Sequence, residues 1–137
     1  MTATLALQLL CGSSALHLAP VVAYEAKHHH VPVAILVSVM RVESRCKSWE
    51  VGARGELGIM QVLPEGNANY LRLDAATLAS PEINIHMGAR HLQRMYRICH
   101  TWLGALASYN GARKCRVNDY ARKVLEFAKQ ITQPKRS

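Results

Sequence analysis

The sequence predicts one all-α domain with an irregular, glycine-rich loop near its middle. Apolar residues recur at helical spacing along most of the 137 residues. No segment of useful length alternates between apolar and polar residues as a strand would, although residues 56–62 could pair briefly. Gly52, Gly55 and Gly58 lie three residues apart, a pattern typical of a tightly turned loop. Half of the residues are hydrophobic, which suits a single core at this length.

Residues 1–19 carry no Lys, Arg, Asp or Glu, and they fit two interpretations. A signal peptide cleaved at Ser13-Ser14-Ala15 would make the protein periplasmic or secreted, although no basic residue lies near Met1. The alternative is a first structural helix. Residues 20–132 then form the folded domain, and residues 133–137 are a basic tail. No run approaches the ~18 apolar residues of a membrane-spanning helix, so we expect no stable membrane insertion.

Two helices are predicted after the N-terminal segment. Residues 21–30 have helix-forming composition, and Pro32 opens the next helix because proline suits a first helical turn. The apolar run 33–40 predicts that this second helix is buried nearly all round, until Arg41 and Glu43 bring polarity at its end.

Helix-capping residues mark the middle of the chain. Pro64 predicts a short helix over residues 64–73, and Asp74 can cap a turn over residues 75–78. Ser80 and Pro81 begin a longer helix. Its predicted buried face consists of Ile83, Met87, Leu92, Met95, Tyr96 and Cys99.

Two further helices complete the fold. Residues 102–109 form one that ends at Asn110-Gly111, and Asn118-Asp119 begins the other. The buried stripe predicted for the last helix is Tyr120, Val124, Phe127 and Ile131.

The net charge of +8 is unevenly distributed along the chain. Residues 1–89 carry six Lys/Arg against seven Asp/Glu, whereas residues 90–137 carry eleven against two. A basic half predicts an anionic partner: nucleic acid, an anionic membrane surface or an anionic wall polymer. Because the basic segment lacks base-stacking aromatic residues and a nucleic-acid-binding motif, we predict no nucleic acid.

The four cysteines do not have the spacing of a metal site. Cys99 and Cys115 flank fifteen residues, a loop for which a disulfide would stabilise the fold by about 3 kcal/mol. Buried free thiols remain the alternative. The consecutive residues His28-His29-His30 point in different directions on a helix, so they cannot converge on one ion. The sequence therefore predicts no metal and no cofactor.

Five motifs follow one another along residues 24–128. They are Arg41-Val42-Glu43-Ser44, Gly58-Ile59-Met60-Gln61, Pro81-Glu82-Ile83-Asn84-Ile85 with Gly88-Ala89-Arg90, Ala107-Ser108-Tyr109-Asn110-Gly111, and Tyr120-Ala121-Arg122-Lys123-Val124. In this order they resemble the catalytic domain of soluble-type lytic transglycosylases, glycoside hydrolase family 23. The resemblance implies a lysozyme-like helical fold, like that of goose-type lysozymes. It also implies cleavage of the β-1,4 bond between N-acetylmuramic acid and N-acetylglucosamine of peptidoglycan, leaving a 1,6-anhydro-muramic acid end.

Glu43 is the predicted catalytic residue. A carboxyl group at the end of a buried apolar helix is desolvated, which raises its pKa and lets it protonate a leaving group. The resemblance implies that Glu43 acts as acid and then as base. The alternatives are an exposed carboxylate that pairs with Arg41 or Arg45, a muramidase of the same fold that uses water, and a non-catalytic wall-binding scaffold.

The predicted substrate-binding residues Ser44, Met60 and Gln61 follow Glu43 or lie in the glycine-rich loop. Gln61 can hydrogen-bond an N-acetyl group, and Met60 offers an apolar wall to a sugar face. Ser44 can contact substrate, or it can bond its own backbone. Met60 has an alternative as core filler. Cys46 stands where the family often has a large apolar residue.

Tyr109, Asn110, Tyr120 and Asn84 complete the predicted site. A Tyr109 hydroxyl reaching the acid would set its orientation, and Asn110 can hold a sugar amide. Tyr120 is either a hydroxyl in the cleft or a buried residue of the last helix. Asn84 lines the groove, or it makes core hydrogen bonds. The small domain also suits a wall-spanning secretion, conjugation or phage assembly, and the sequence does not choose among these.

Overall fold

The computed structural model describes residues 1–133, and these confirm the all-α prediction. The predicted basic tail lies outside the described residues from residue 134 onward. The helices are α1 (Ala3–Leu10), α2 (Ala19–His28), α3 (Val33–Ser44), α4 (Ala75–Leu78), α5 (Pro81–Cys99), α6 (Trp102–Tyr109) and α7 (Asp119–Thr132), with 3₁₀ turns at Ser13–Leu18 and Arg113–Cys115.

Helix α3 forms the centre of the fold. Residues 34–40 are all buried, because α1, α2 and α7 pack around this helix. The helix ends in two left-handed residues, Arg45 with φ 52° and Cys46 with φ 65°. Glu43 therefore lies in the last turn of a helix whose remaining length is enclosed by other helices.

The long helix α5 contacts both α2 and α6. A disulfide joins Cys99 at its end to Cys115, with 5.6 Å between the Cα atoms, as one of the two sequence alternatives predicted. A Cβ atom at Gly104 would lie 3.1 Å from the Cβ atoms of both cysteines. Glycine at this position lets α6 pass close to the disulfide.

The N-terminal segment is helical, as the second interpretation of residues 1–19 predicted. Ala6 and Leu7 of α1 are fully buried against the core. A disulfide that the sequence did not predict joins Cys11 to Cys46, two residues beyond the end of α3. Cleavage as a signal peptide stays a prediction. Among the described residues, no helix is both long and apolar enough to span a membrane.

The prediction of a helix over residues 64–73 is wrong. The segment is a series of turns arranged around the buried side chain of Asn69. Its amide nitrogen donates to the carbonyl groups of Pro64 and Leu73, and its Oδ1 accepts from the backbone N–H of Leu73. These bonds replace the backbone pairing that a helix would provide.

The buried face of α5 is also shifted from the prediction. Tyr96 is exposed and stacks on Trp102, with 4.4 Å between the ring centroids. Ile85 and Ala89, which the prediction left out, are fully buried. The end of α5 extends beyond the core, so the apolar pattern there marks a contact with the start of α6.

Candidate active site

Glu43 is a largely buried carboxyl group at the end of α3. The hydroxyl of Tyr120, on α7, donates a hydrogen bond of 2.8 Å to its Oε2. Burial raises the pKa of Glu43 from 4.5 to about 7, the hydrogen bond from Tyr120 opposes this, and the charge of Glu56 adds to it. A carboxyl group with this pKa is partly protonated near neutral pH, so it can both donate and accept a proton.

The glycine-rich loop is tied to the end of α3 through Ser44. The Ser44 hydroxyl lies 2.8 Å from the carbonyl oxygen of Ile59 and 3.1 Å from that of Met40, and both are acceptors for its proton. The side chain is buried, so the structure matches the backbone-bonding alternative for Ser44 rather than substrate contact. Ser44 holds the loop against the helix that carries the acid.

Asn84 is the second anchor of this loop. Its Oδ1 accepts from the backbone N–H of Met60 at 2.8 Å, and its amide nitrogen donates to the carbonyl groups of Leu57 and Leu78. A Cβ atom at Gly58, where φ is 81°, would lie 2.6 Å from the Asn84 amide nitrogen. Asn84 is fully buried and so makes the predicted core hydrogen bonds, without lining the groove.

Met60 is enclosed on every side. A Cβ atom at Gly88 of α5 would lie 2.5 Å from the Met60 Cε, so only glycine leaves room for this side chain. Tyr109 donates its hydroxyl to the Met60 carbonyl at 2.7 Å. Tyr109 therefore fixes the loop and does not bond the acid as predicted; Tyr120 makes that bond instead. Met60 is core filler, the alternative that the sequence left open.

A cleft of about 560 Å³ opens beside Glu43. Its lining consists of Glu43, Arg54, Glu56, Gln61, Leu63, Gly66, Asn67, Ala68, His91, Met95, Ser108, Tyr109, Asn110 and Gly111. Of the predicted residues, Glu43, Gln61, Tyr109 and Asn110 line this space together. Gln61 has φ 53°, and its amide nitrogen donates to the carbonyl groups of Glu50 and Gly58, which leaves its side-chain oxygen for a ligand.

The cleft residues that were not predicted from the sequence include three with ionisable side chains, Arg54, Glu56 and His91. Glu56 accepts a hydrogen bond from the backbone N–H of Arg54 at 2.7 Å, within the loop. Burial, with the charges of Arg94 and Arg90, lowers the pKa of His91 to about 4, so this ring is neutral at neutral pH. His91 packs beside Tyr109 with 5.4 Å between ring centroids. His91 lies seven residues after Asn84 on α5, and this helical spacing was the sequence pattern that could have identified it.

A second cavity of about 780 Å³ adjoins the Asn110 end of the cleft. It is lined by Ala112, Arg113, Lys114, Arg116, Val117 and Asn118. Asn118 donates to the Asn110 side-chain oxygen at 3.2 Å, which links the two spaces. Part of the positive charge of the C-terminal half therefore lies next to the cleft.

The comparison with solved structures supports the fold. Among solved structures, the chain is similar to an inactive mutant of the lytic transglycosylase Slt from Pseudomonas aeruginosa, with a TM-score of 0.69 and 18% identity over 88% of this chain. At that identity the similarity shows the fold alone, and the chain spans only 25% of the length of that protein. A comparison with curated proteins finds no match.

The family comparison covers most of the chain. The sequence profile described as "Transglycosylase SLT domain" matches residues 20–132, which include α3, the glycine-rich loop and the cleft. The chain therefore belongs to the transglycosylase SLT domain family and has the lysozyme-like fold of the lytic transglycosylases.

Proposed function

We propose that this protein is a peptidoglycan lytic transglycosylase in which Glu43 is the single acid and base. The observation that carries the proposal is a largely buried carboxyl group that faces the cleft and accepts a hydrogen bond from Tyr120, an environment that raises its pKa to about 7. Such a group is suited to give up a proton in one step and recover it in the next.

The reaction has two proton transfers. Protonated Glu43 gives its proton to the glycosidic oxygen as the bond from C1 of N-acetylmuramic acid to that oxygen breaks. The 6-hydroxyl of the same sugar then bonds to C1, and its proton goes to the Glu43 carboxylate, which restores the acid. The product is a 1,6-anhydro sugar, and no water is consumed. Gln61 and Asn110, which line the cleft, offer amide groups for the N-acetyl groups of the glycan.

Hydrolysis is the second candidate, and Glu56 is the observation that favours it. Glu56 lines the same cleft as Glu43 and is close enough for its charge to raise the pKa of Glu43. An inverting glycosidase uses a second carboxylate to activate water. However, Glu56 is already a partner of the loop backbone at Arg54, which favours a structural role.

Product mass tests the proposal. Purified peptidoglycan is digested with the protein, and the released muropeptides are weighed. We expect products one water lighter than those of a muramidase, formed roughly 10²- to 10⁴-fold more slowly by Glu43→Gln. Hydrated products only would replace the proposal by hydrolysis. If Glu43→Gln binds glycan and retains its biological role, the protein is a wall-binding scaffold.

We also propose that the protein works in the periplasm or outside the cell. Two disulfides, Cys11–Cys46 and Cys99–Cys115, favour an oxidising compartment. The basic cavity at Arg113, Lys114 and Arg116 supports an anionic partner such as the carboxylates of the wall polymer. A secretion, conjugation or phage assembly that crosses the wall fits this location, and co-purification with such an assembly tests it.

A further inference from the structure

A second cluster of polar side chains lies outside the cleft, between α2 and α5. It consists of Glu25, His29 and His86, whose ligand atoms all lie within 4.8 Å of one another. Glu25 Oε2 is 3.0 Å from His29 Nε2 and 3.0 Å from His86 Nδ1. The Glu25 and His29 side chains are 8% and 7% exposed, and His86 is 32% exposed, which leaves a path to solvent.

The hydrogen-bond pattern leaves one nitrogen of this cluster without a partner. His29 Nδ1 lies 3.1 Å from the side-chain oxygen of Gln93, an acceptor, so Nδ1 is the donor in the tautomer that satisfies this contact. Nε2 then presents a lone pair toward the Glu25 carboxylate. Although the two atoms are only 3.0 Å apart, His29 Nε2 makes no hydrogen bond within residues 1–133.

We propose that Glu25, His29 and His86 bind one divalent transition-metal ion, with Zn²⁺ as the best match. Two imidazole nitrogens and one carboxylate oxygen are a ligand set that suits Zn²⁺, whereas Mg²⁺ and Ca²⁺ prefer oxygen ligands alone. A cation bound between these three side chains would be coordinated by the unpartnered His29 Nε2 and would neutralise the buried Glu25 carboxylate. The exposed side of His86 leaves the fourth position open to water.

The surrounding residues match the outer contacts of a metal site. In metal sites, the second nitrogen of a ligating histidine usually donates to an oxygen, which fixes the ring. His29 Nδ1 has the Gln93 oxygen, and His86 Nε2 has the Tyr70 hydroxyl at 2.8 Å. The ring of Tyr70 is in turn covered by the Arg90 guanidinium, 3.6 Å from its centroid.

The ion would connect distant parts of the chain. It would bind α2 to α5 across 61 residues. Through Tyr70 it would also hold the segment that contains Gly66, Asn67 and Ala68, which line one wall of the cleft. The site is therefore structural, and its proposal does not depend on which reaction Glu43 performs. The sequence predicted no metal, because consecutive histidines diverge and His86, His91 and His100 lack ligand spacing; it did not consider a site shared by α2 and α5.

Zinc titration of the whole chain tests the site. Protein stripped with a chelator is titrated with Zn²⁺ by calorimetry and melted with and without the ion. We expect one equivalent to bind and the Tm to rise, because the ion stabilises the folded state alone. His86→Ala and His29→Gln should weaken the zinc affinity by roughly 100-fold or more, and Gln93→Leu by roughly 10- to 100-fold. His30→Ala and His100→Ala are matched controls at exposed histidines and should bind normally.

Several results would overturn the metal site. They are the absence of saturable zinc binding, zinc binding unchanged by His86→Ala, and loss of zinc binding in His30→Ala. Equal responses to Mg²⁺ and Zn²⁺ would also exclude the proposed ligand set. If His29→Gln fails to fold, the more exposed His86→Ala decides the question. If these variants lower the Tm equally with and without zinc, the cluster is a set of hydrogen bonds that joins α2 to α5, and it is not a metal site.

Discussion

Two glutamates with little solvent exposure have different surroundings in this protein. Glu43, at the end of α3, faces a cleft and receives one hydrogen bond from a neutral hydroxyl, that of Tyr120. Glu25, within α2, lies against two imidazole rings, those of His29 and His86. Burial raises the pKa of Glu43 toward the value that a general acid needs, whereas Glu25 lies between two imidazole rings and links α2 to α5.

The largest expected effect is that of Glu43→Gln on turnover. Removing a general acid lowers the rate by roughly 10²- to 10⁴-fold. The same substitution should stabilise the protein at pH 8. The pKa of Glu43 is about 7 in the folded protein against an ordinary 4.5, so the folded state binds more protons between these values. Its stability then falls as the pH rises from 4.5 to about 7, by about 3 kcal/mol in total.

Activity assays and denaturant unfolding at pH 4 and pH 8 measure both effects of Glu43→Gln. The glutamine should match the wild type at pH 4 and exceed it at pH 8, where the wild-type carboxylate is charged. If the wild type and the glutamine variant were equally stable at pH 4 and also at pH 8, Glu43 would not be desolvated. This result would remove the physical basis of the proposed acid.

The second largest effect is that of Glu25→Gln, which should destabilise the protein by about 2 kcal/mol. The substitution removes the charged acceptor of the His86 hydrogen bonds in a buried position. Unfolding in urea measures the loss, and Glu126→Gln on the exposed face of α7 is the matched control. A stabilised Glu25→Gln variant would place both glutamates in the same class and break the comparison.

The two glutamates also differ in how far the sequence predicts them. Glu43 was predicted because it ends an apolar run and because the five motifs resemble a family. The caps at Asp74 and Asn118 were also predicted from local sequence, and both side chains accept the expected backbone hydrogen bonds. The surroundings of Glu25 depend on His86, 61 residues away, and no local pattern carries that information.

Long-range contacts account for the other errors at the site. The sequence could not decide which tyrosine bonds Glu43, because the bond from Tyr120 spans 77 residues and depends on how α7 packs on α3. The disulfide between Cys11 and Cys46 was not predicted for the same reason, because it depends on the contact of α1 with α3. Met60 and Asn84 were predicted to bind substrate, but their side chains are fully buried and do not line the cleft.

The third prediction concerns the hydroxyl that bonds the acid. Tyr120→Phe removes the hydrogen bond that lowers the pKa of Glu43, so that pKa should rise. Because Glu43 must be protonated to begin the reaction, the alkaline limb of the pH–rate profile should move to higher pH, by about one unit or less. Tyr109→Phe is the control, since its hydroxyl bonds the Met60 carbonyl and not the acid. A shift to lower pH would contradict the assignment.

The smallest expected effect is that of Glu56→Gln, and it separates the two candidate reactions. The charge of Glu56 raises the pKa of Glu43, so its removal should move the alkaline limb to lower pH, opposite to Tyr120→Phe. The shift should be roughly half a pH unit and should shrink in high salt, because charges near solvent are screened. In a lytic transglycosylase the maximal rate stays nearly unchanged, since the 6-hydroxyl needs no second carboxylate. A rate loss of roughly 10²-fold or more would instead identify Glu56 as the base that activates water, and Glu43 would no longer be the only acid–base group of the site.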